Sequence, residues 1–168
     1  MRLYGVTGWK NSGKTTLVER LVAEITGRGF TVSTLKHAHH GFDADHPGKD
    51  SYRHRAAGAS QVLVASATRW ALMSEVRSGP APVLEALVAR LDPVDLVLVE
   101  GWKRDRHPKI EARRTATGQD LLAGADETIE AVAADAPLTG LPVPVFALDD
   151  IAGIAGFILG RVGLSQPY

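Results

Sequence analysis

The 168-residue chain contains no cysteine. That excludes disulfides, thiolate metal sites and cysteine nucleophiles together. It has a single asparagine, Asn11, so the Asn-Lys-x-Asp element with which guanine-specific GTPases usually read their base cannot be present. No apolar run approaches the ~20 residues needed to span a bilayer, and no membrane passage is expected. Net charge is also missing: 19 basic residues face 19 acidic ones. Nothing global therefore recruits the chain to nucleic acid or to an anionic membrane. The first strand begins almost at Met1, which leaves no room for a signal or transit peptide and makes a cytoplasmic location the expectation. At this length one domain over residues 1–168 is expected, with a core that needs no staples.

Glycine, by contrast, is plentiful and placed. Gly8-Trp9-Lys10-Asn11-Ser12-Gly13-Lys14-Thr15 has two glycines bracketing four free positions and then Lys-Thr, the phosphate-binding loop pattern. Before it, Leu3–Thr7 reads as a short buried strand. After it, Leu17, Val18, Leu21, Val22 and Ile25 share one helix face. Strand, loop and helix together converge backbone N–H groups and a positive helix end on one point, an anion site suited to polyphosphate. The Lys14 ammonium would reach the β- and γ-phosphates, and the Thr15 hydroxyl would ligate Mg²⁺.

The rest of the chain alternates strands and helices. Strands are expected at 30–36, 61–65, 70–76, 95–101 and 143–147, with another at 109–113; residues 128–134 fit helix and strand comparably. Helices are expected from Asp50-Ser51 to Ala57, over 83–91, and from 151 to about 159. This pattern implies a three-layer α/β fold with a mostly parallel sheet, like that of P-loop NTPases. The 61–76 stretch is expected to be an inserted or edge β-hairpin.

Glu100 ends the apolar run Leu96-Val97-Leu98-Val99, so it should face the crevice at the carboxyl edge of the sheet. A carboxylate there commonly holds Mg²⁺, directly or through water. The competing reading is an ion pair with Lys103 or Lys109. Asp95 opens the same run and should lie at the opposite edge.

His37, His39, His40, His46 and His54 crowd one segment together with Asp43, Asp45 and Asp50. A polar lid over an anionic ligand, a solvated loop and a metal site are its three readings. Lys103, Arg104, Arg106, His107 and Lys109 either neutralise phosphates at the same edge or form a solubilising loop. Trp9 and Trp102 flank the crevice, as base-stacking platforms or as ordinary packing.

Taken together, these blocks resemble the MobB family of molybdopterin-guanine dinucleotide biosynthesis adaptor proteins. The resemblance rests on Gly8–Leu17, Leu35-Lys36-His37 and Phe42-Asp43. Pro47-Gly48-Lys49-Asp50-Ser51 with Arg53, and Ala57-Gly58-Ala59, continue it. Val99-Glu100-Gly101-Trp102-Lys103 and Pro108-Lys109-Ile110-Glu111 complete it. It covers most of residues 4–113; the tail from Thr115 matches mainly through a strand and Asp150 before a last helix. The resemblance implies a GTP- and Mg²⁺-binding protein with feeble GTPase activity and a homodimeric state. Its implied partner is a molybdenum cofactor guanylyltransferase, with a molybdopterin-type ligand as a further binder. The candidate nucleotide-binding residues are Gly8, Lys10, Asn11, Ser12, Gly13, Lys14, Thr15 and Thr16, and the candidate metal ligands are Thr15 and Glu100. Two other readings stay open. One is a small-molecule kinase with Asp43 or Asp50 as acceptor base; the other is a nucleotide-gated metal chaperone using the histidines.

Overall fold

The computed structural model describes residues 1–38 and 42–164. The chain forms two compact units, residues 1–37 with 84–168, and residues 38–83.

The larger unit is built on a six-stranded sheet. Its strands are β1 (Arg2–Thr7), β2 (Val32–Lys36), β5 (Leu96–Glu100), β6 (Lys109–Arg113), β7 (Ile129–Ala134) and β8 (Val145–Ala147), with β3 and β4 belonging to the smaller unit. Their order is β2-β5-β1-β6-β7-β8, and every neighbouring pair is parallel. All carboxyl ends therefore meet at one edge of the sheet.

Residue parity sets the layers. Leu96 and Leu98 of β5 join Tyr4, Val6, Ile110 and Ala112 on one face. There they meet Leu17, Leu21 and Ile25 of α1 (Lys14–Gly27) and Ile154 and Ile158 of α4 (Ile151–Arg161). These helical side chains are almost wholly buried, each contributing about 1.5–3 kcal/mol of transfer free energy. Val97 and Val99 point the other way, against Leu84 and Val88 of the short helix α3 (Leu84–Val88). Beyond them, Ile129 and Val132 pack under the 121–143 segments. Burial on both faces explains why β5 reads as a continuous apolar run. It also explains why 128–134 fits helix and strand comparably in sequence: Ala131 to Ala134 are all buried, so the alternation that would mark a strand is lost.

The smaller unit contains α2 (Asp50–Ala56) and an antiparallel hairpin, β3 (Gln61–Ala65) with β4 (Trp70–Ser74). The hairpin is a two-stranded sheet of its own rather than an edge of the large one. Arg55 ties the unit together. Its guanidinium bonds Asp43 at 2.7 and 2.9 Å and Glu75 at 2.9 Å, with Asp45 at 3.6 Å.

Two members of the basic 103–109 group turn inward instead of facing the crevice. Lys109 is fully buried, its ammonium bonded to Thr128 and to the Asp105 carbonyl. His107 packs on Gly5 of β1, where an added Cβ would lie 2.5 Å from its Nε2. Neither of its ring nitrogens has a hydrogen-bond partner. Burial first, and the Lys109 charge second, push the His107 imidazole down from 6.5 to about 4. A histidine kept neutral in the fold stabilises it above the unfolded value of 6.5. That stabilisation is lost progressively as pH falls from 6.5 toward 4, because the unfolded chain then binds the extra proton. Melting temperature measured across this window should drop in the native protein and drop less in His107→Gln. Identical slopes would show that His107 does not titrate as its burial requires.

Candidate functional site

The loop between β1 and α1 is shaped by its glycines. Gly8 has φ +138°, and a Cβ there would meet the Ala112 carbonyl at 2.4 Å, so only glycine lets the loop lie against β6. Gly13 caps α1 in the left-handed region at φ 94°, and Asn11, at φ 64°, adopts a conformation that asparagine tolerates better than most. Ser12 is buried at the turn of the loop, while Lys10 and Asn11 are exposed.

Lys14 and Thr15 open α1. The Lys14 ammonium folds back to the Trp9 carbonyl at 2.6 Å, closing the loop on itself. Burial, and then the nearby Lys103 charge, lower its pKa, so it has much to gain from an anion. Thr15 Oγ1 donates to Glu100 Oε1 at 2.9 Å. The geometry follows from register. Val6 pairs with Glu100 across the β1–β5 ladder, and the parity that sends Leu96 and Leu98 toward α1 sends Glu100 there too.

Glu100 also has an ionic partner, but not Lys103 or Lys109. The partner is Lys36, at 3.2 Å from Glu100 Oε1 and 3.2 Å from Thr15 Oγ1. Lys36 is the residue opposite Glu100 in the parallel β2–β5 pair, a juxtaposition that strand order creates and sequence distance hides. A cation thus already sits on the oxygen pair proposed to hold a metal. Two adjacent ligands of octahedral Mg²⁺, each about 2.0–2.1 Å from the ion, stand about 2.9 Å apart. Hydroxyl and carboxylate oxygens at that spacing fit a hard dication.

The surrounding cations sort themselves clearly. Lys103 lies 4.1 Å from the centroid of the Trp9 ring, a cation–π contact beside the loop. Arg106 pairs with Glu127 at an exposed position. Arg114, absent from the basic residues singled out in the sequence, comes next to Gly13: a Cβ on Gly13 would be 3.1 Å from its Nε. It follows β6 directly, so its nearness to the loop again depends on strand order. Trp9 donates to the Asp120 carbonyl at 2.7 Å, and Trp102 packs on His37 with ring centroids 4.8 Å apart. Both indoles are engaged in packing. Asp95 lies at the far edge, bonded to Thr31.

In the histidine-rich segment, His39 and His40 lie outside the described residues. Asp43 and Asp45 are held by Arg55, and among the described residues no group of three or more His, Cys, Asp or Glu could hold a metal ion.

This architecture has relatives. The family model for molybdopterin guanine dinucleotide synthesis protein B matches residues 3–135. The chain belongs to the MobB family. The molybdopterin-guanine dinucleotide biosynthesis adapter protein of Escherichia coli K12 is 40% identical over 94% of this chain and 91% of its own length. The Haemophilus influenzae protein of the same name is 43% identical, over 93% of this chain and 86% of its own. Among solved structures, the MobB homologue from Bacillus stearothermophilus superposes with a TM-score of 0.71 at 31% identity, covering 98% of this chain and all of that one. The parallel sheet, the loop and the hairpin thus belong to a nucleotide-binding MobB fold. Among the described residues, no helix is long and apolar enough to cross a membrane.

Proposed function

We propose that this MobB protein, an adaptor in molybdopterin-guanine dinucleotide biosynthesis, binds GTP with Mg²⁺ at the β1–α1 loop and presents it beside a guanylyltransferase. One observation carries this reading: Thr15 and Glu100 oxygens 2.9 Å apart, directly behind a glycine loop closed by Lys14. The amides of Gly8 to Thr16 and the positive end of α1 would cradle the phosphates. Lys10, Asn11 and Ser12 shape the rim of that cradle, and Lys14 would exchange the Trp9 carbonyl for a phosphate oxygen. Mg²⁺ would take Thr15 and Glu100 as ligands and displace the Lys36 ammonium toward the phosphates. When bound, the metal neutralises phosphate charge.

The alternatives fare less well. A kinase needs a base free to take a proton from its acceptor, whereas Asp43 is bound by Arg55, which holds its carboxyl below the usual range, and Asp50 pairs with Arg53 at 3.7 Å on the surface. The metal-chaperone reading draws no ligand set from the described residues.

A homodimer is the third part of the proposal, and the hairpin supports it. Leu63 and Leu72 are directly opposed, as are Ala65 and Trp70, so all four share one face. Leu63, Leu72 and Trp70 are 59%, 42% and 61% exposed, an apolar face that a second copy would cover. Light scattering should give twice the chain mass for the native protein and a smaller value for Trp70→Lys. A monomeric native protein removes this part.

Calorimetry on the loop tests the rest. Lys14→Ala should weaken triphosphate binding about ten- to hundredfold by deleting a charge-assisted contact, without unfolding the chain. Glu100→Gln should weaken binding only when Mg²⁺ is present, because an amide is a poorer ligand for a hard dication. Unchanged affinity in the first variant sinks the phosphate site. An unchanged Mg²⁺ response in the second makes Glu100 structural.

Turnover should be slow, far below a typical enzyme's ~10 s⁻¹. Fast hydrolysis needs a positioned water and a fixed cation on the γ-phosphate. Arg55 is committed to Asp43 and Glu75, Arg106 to Glu127, and Arg114 is exposed. Phosphate release measured alone and with the guanylyltransferase should rise only with the partner; tens of turnovers per second from the protein alone would make it an autonomous enzyme.

A further inference from the structure

The larger unit has a cavity of about 520 Å³ beside the phosphate loop, walled by Gly13, Thr16, Arg114, Asp135, Leu148 and Asp149. A second cavity, of about 320 Å³, lies over Lys14 and Thr15 and shares Gly13, Thr16 and Arg114 with the first. The two border one another at those residues. A ligand whose phosphates occupy the smaller one has the larger one beside it as room of nucleoside size.

Chain topology puts a carboxylate in that room. β7 runs parallel to β6 and ends at the buried Ala134, so Asp135 emerges at the same edge as Arg114. The Asp135 side chain is braced: the Thr115 amide and hydroxyl both donate to its Oδ1 at 2.9 Å. These bonds occupy Oδ1 and leave Oδ2 to accept from elsewhere. They also hold its carboxyl below the ordinary range, so at neutral pH it accepts hydrogen bonds and donates none. Asp135 and Asp149 are both exposed, but the Asp149 carboxylate is not braced in this way among the described residues. Leu148, from the turn after β8, adds an apolar wall against which a flat ring can lie.

We infer that Asp135 is the base-reading residue of this site and that it selects guanine. The inference rests on the nucleotide reading above and gives that reading its base. Guanine presents two donors on one edge, N1–H and the N2 amine, which a carboxylate can accept as a pair. Adenine presents an unprotonated N1 there, which a carboxylate repels. Xanthine replaces the amine with a carbonyl, which it repels as well. A site built to accept hydrogen bonds rejects a ligand that lacks the donors, because its own charged group is then left unpaired. The single-asparagine chain has no Asn-Lys-x-Asp element; Asp135 on the end of β7 supplies the acceptor by another route.

Calorimetry with Mg²⁺ on the native chain, Asp135→Asn and Asp149→Asn tests this, using GTP, ITP, XTP, ATP and inorganic tripolyphosphate. The native chain should prefer GTP to XTP and ATP by at least tenfold, and should bind ITP, which lacks the N2 amine, more weakly than GTP. Asp135→Asn keeps an acceptor for Thr115 but presents an amide, so GTP affinity should fall about ten- to hundredfold and XTP affinity should rise. Tripolyphosphate affinity should be the same in all three proteins. Native ratios among the four nucleotides that persist in Asp135→Asn overturn the inference, as does a switch produced by Asp149→Asn instead. Should Asp135→Asn fail to fold, equal affinity of the native chain for GTP, ITP and XTP overturns it by itself. Failure of the native chain to bind tripolyphosphate or any triphosphate rejects the underlying nucleotide reading; binding without base preference rejects only the role of Asp135.

Discussion

The site depends on β1 being paired in parallel on both sides. Its ladder with β5 sets Val6 level with Glu100, and its ladder with β6 sets Thr7 level with Glu111. Because all three strands run the same way, the loop after β1, the carboxylate ending β5 and the arginine following β6 emerge at the same edge of the sheet. The floor under this edge is apolar on both faces, with Val6, Val97, Val99 and Ile110 wholly buried. A one-residue slip of β5 would turn Glu100 to the α3 face and leave Thr15 without its partner. Core burial therefore fixes the register, and the register places the chemistry.

Electrostatics at this edge are arranged for an anion. Lys14, Lys36, Lys103 and Arg114 gather near the loop, with Lys36 paired to Glu100. Without polyphosphate the cations satisfy themselves locally: Lys14 on a loop carbonyl, Lys36 on Glu100 and Thr15, Lys103 on an indole face. Each contact is replaceable at low cost, since partly exposed ion pairs and cation–π contacts contribute only about 0.5–1 kcal/mol. A triphosphate offers several charge-assisted bonds in exchange. The loop is preorganised by its glycines, and the cations are held close without being locked.

The phosphate loop was legible in the sequence because almost every position in it answers to a local requirement. Gly8 must clear the Ala112 carbonyl, Gly13 must turn left-handed, and Leu17, Leu21 and Ile25 must repeat along one helix face. Glu100 was legible for a related reason: a continuous apolar run ending in a carboxylate has few other placements. Lys36 entered only through the Leu35-Lys36-His37 resemblance and Arg114 not at all, since their places at the site follow from the strand order β2-β5-β1-β6, which periodicity does not reveal. Lys109 and His107 misled in the opposite sense. In sequence they belong to a basic run, but they lie where β6 enters the sheet, and their polar ends are spent on Thr128 and on packing over Gly5. The hairpin showed in the sequence as two short strand-like runs about a turn near Thr68; its separation into an independent sheet did not, because nothing local distinguishes an edge from an isolated pair.

The smaller unit follows a different physical logic. Among its described residues, Val62 is the one hydrophobic side chain that is buried, at 8% exposure. A segment of this size with so little apolar burial cannot offset the entropy of ordering its chain by hydrophobic packing. Arg55 supplies part of what is missing, since one half-buried guanidinium joins Asp43 and Asp45 to Glu75 of the chain after β4. A bidentate pair within a network is worth more than isolated surface pairs, but it desolvates its members and cannot replace a core. The exposed Leu63, Trp70 and Leu72 are then the surface from which further stabilisation has to come. Covering a two-stranded sheet on its apolar face is the usual condition for its independent stability. Such a face offers the smaller unit apolar area to bury against another surface, while the larger unit holds its glycine loop on a sheet already buried on both faces.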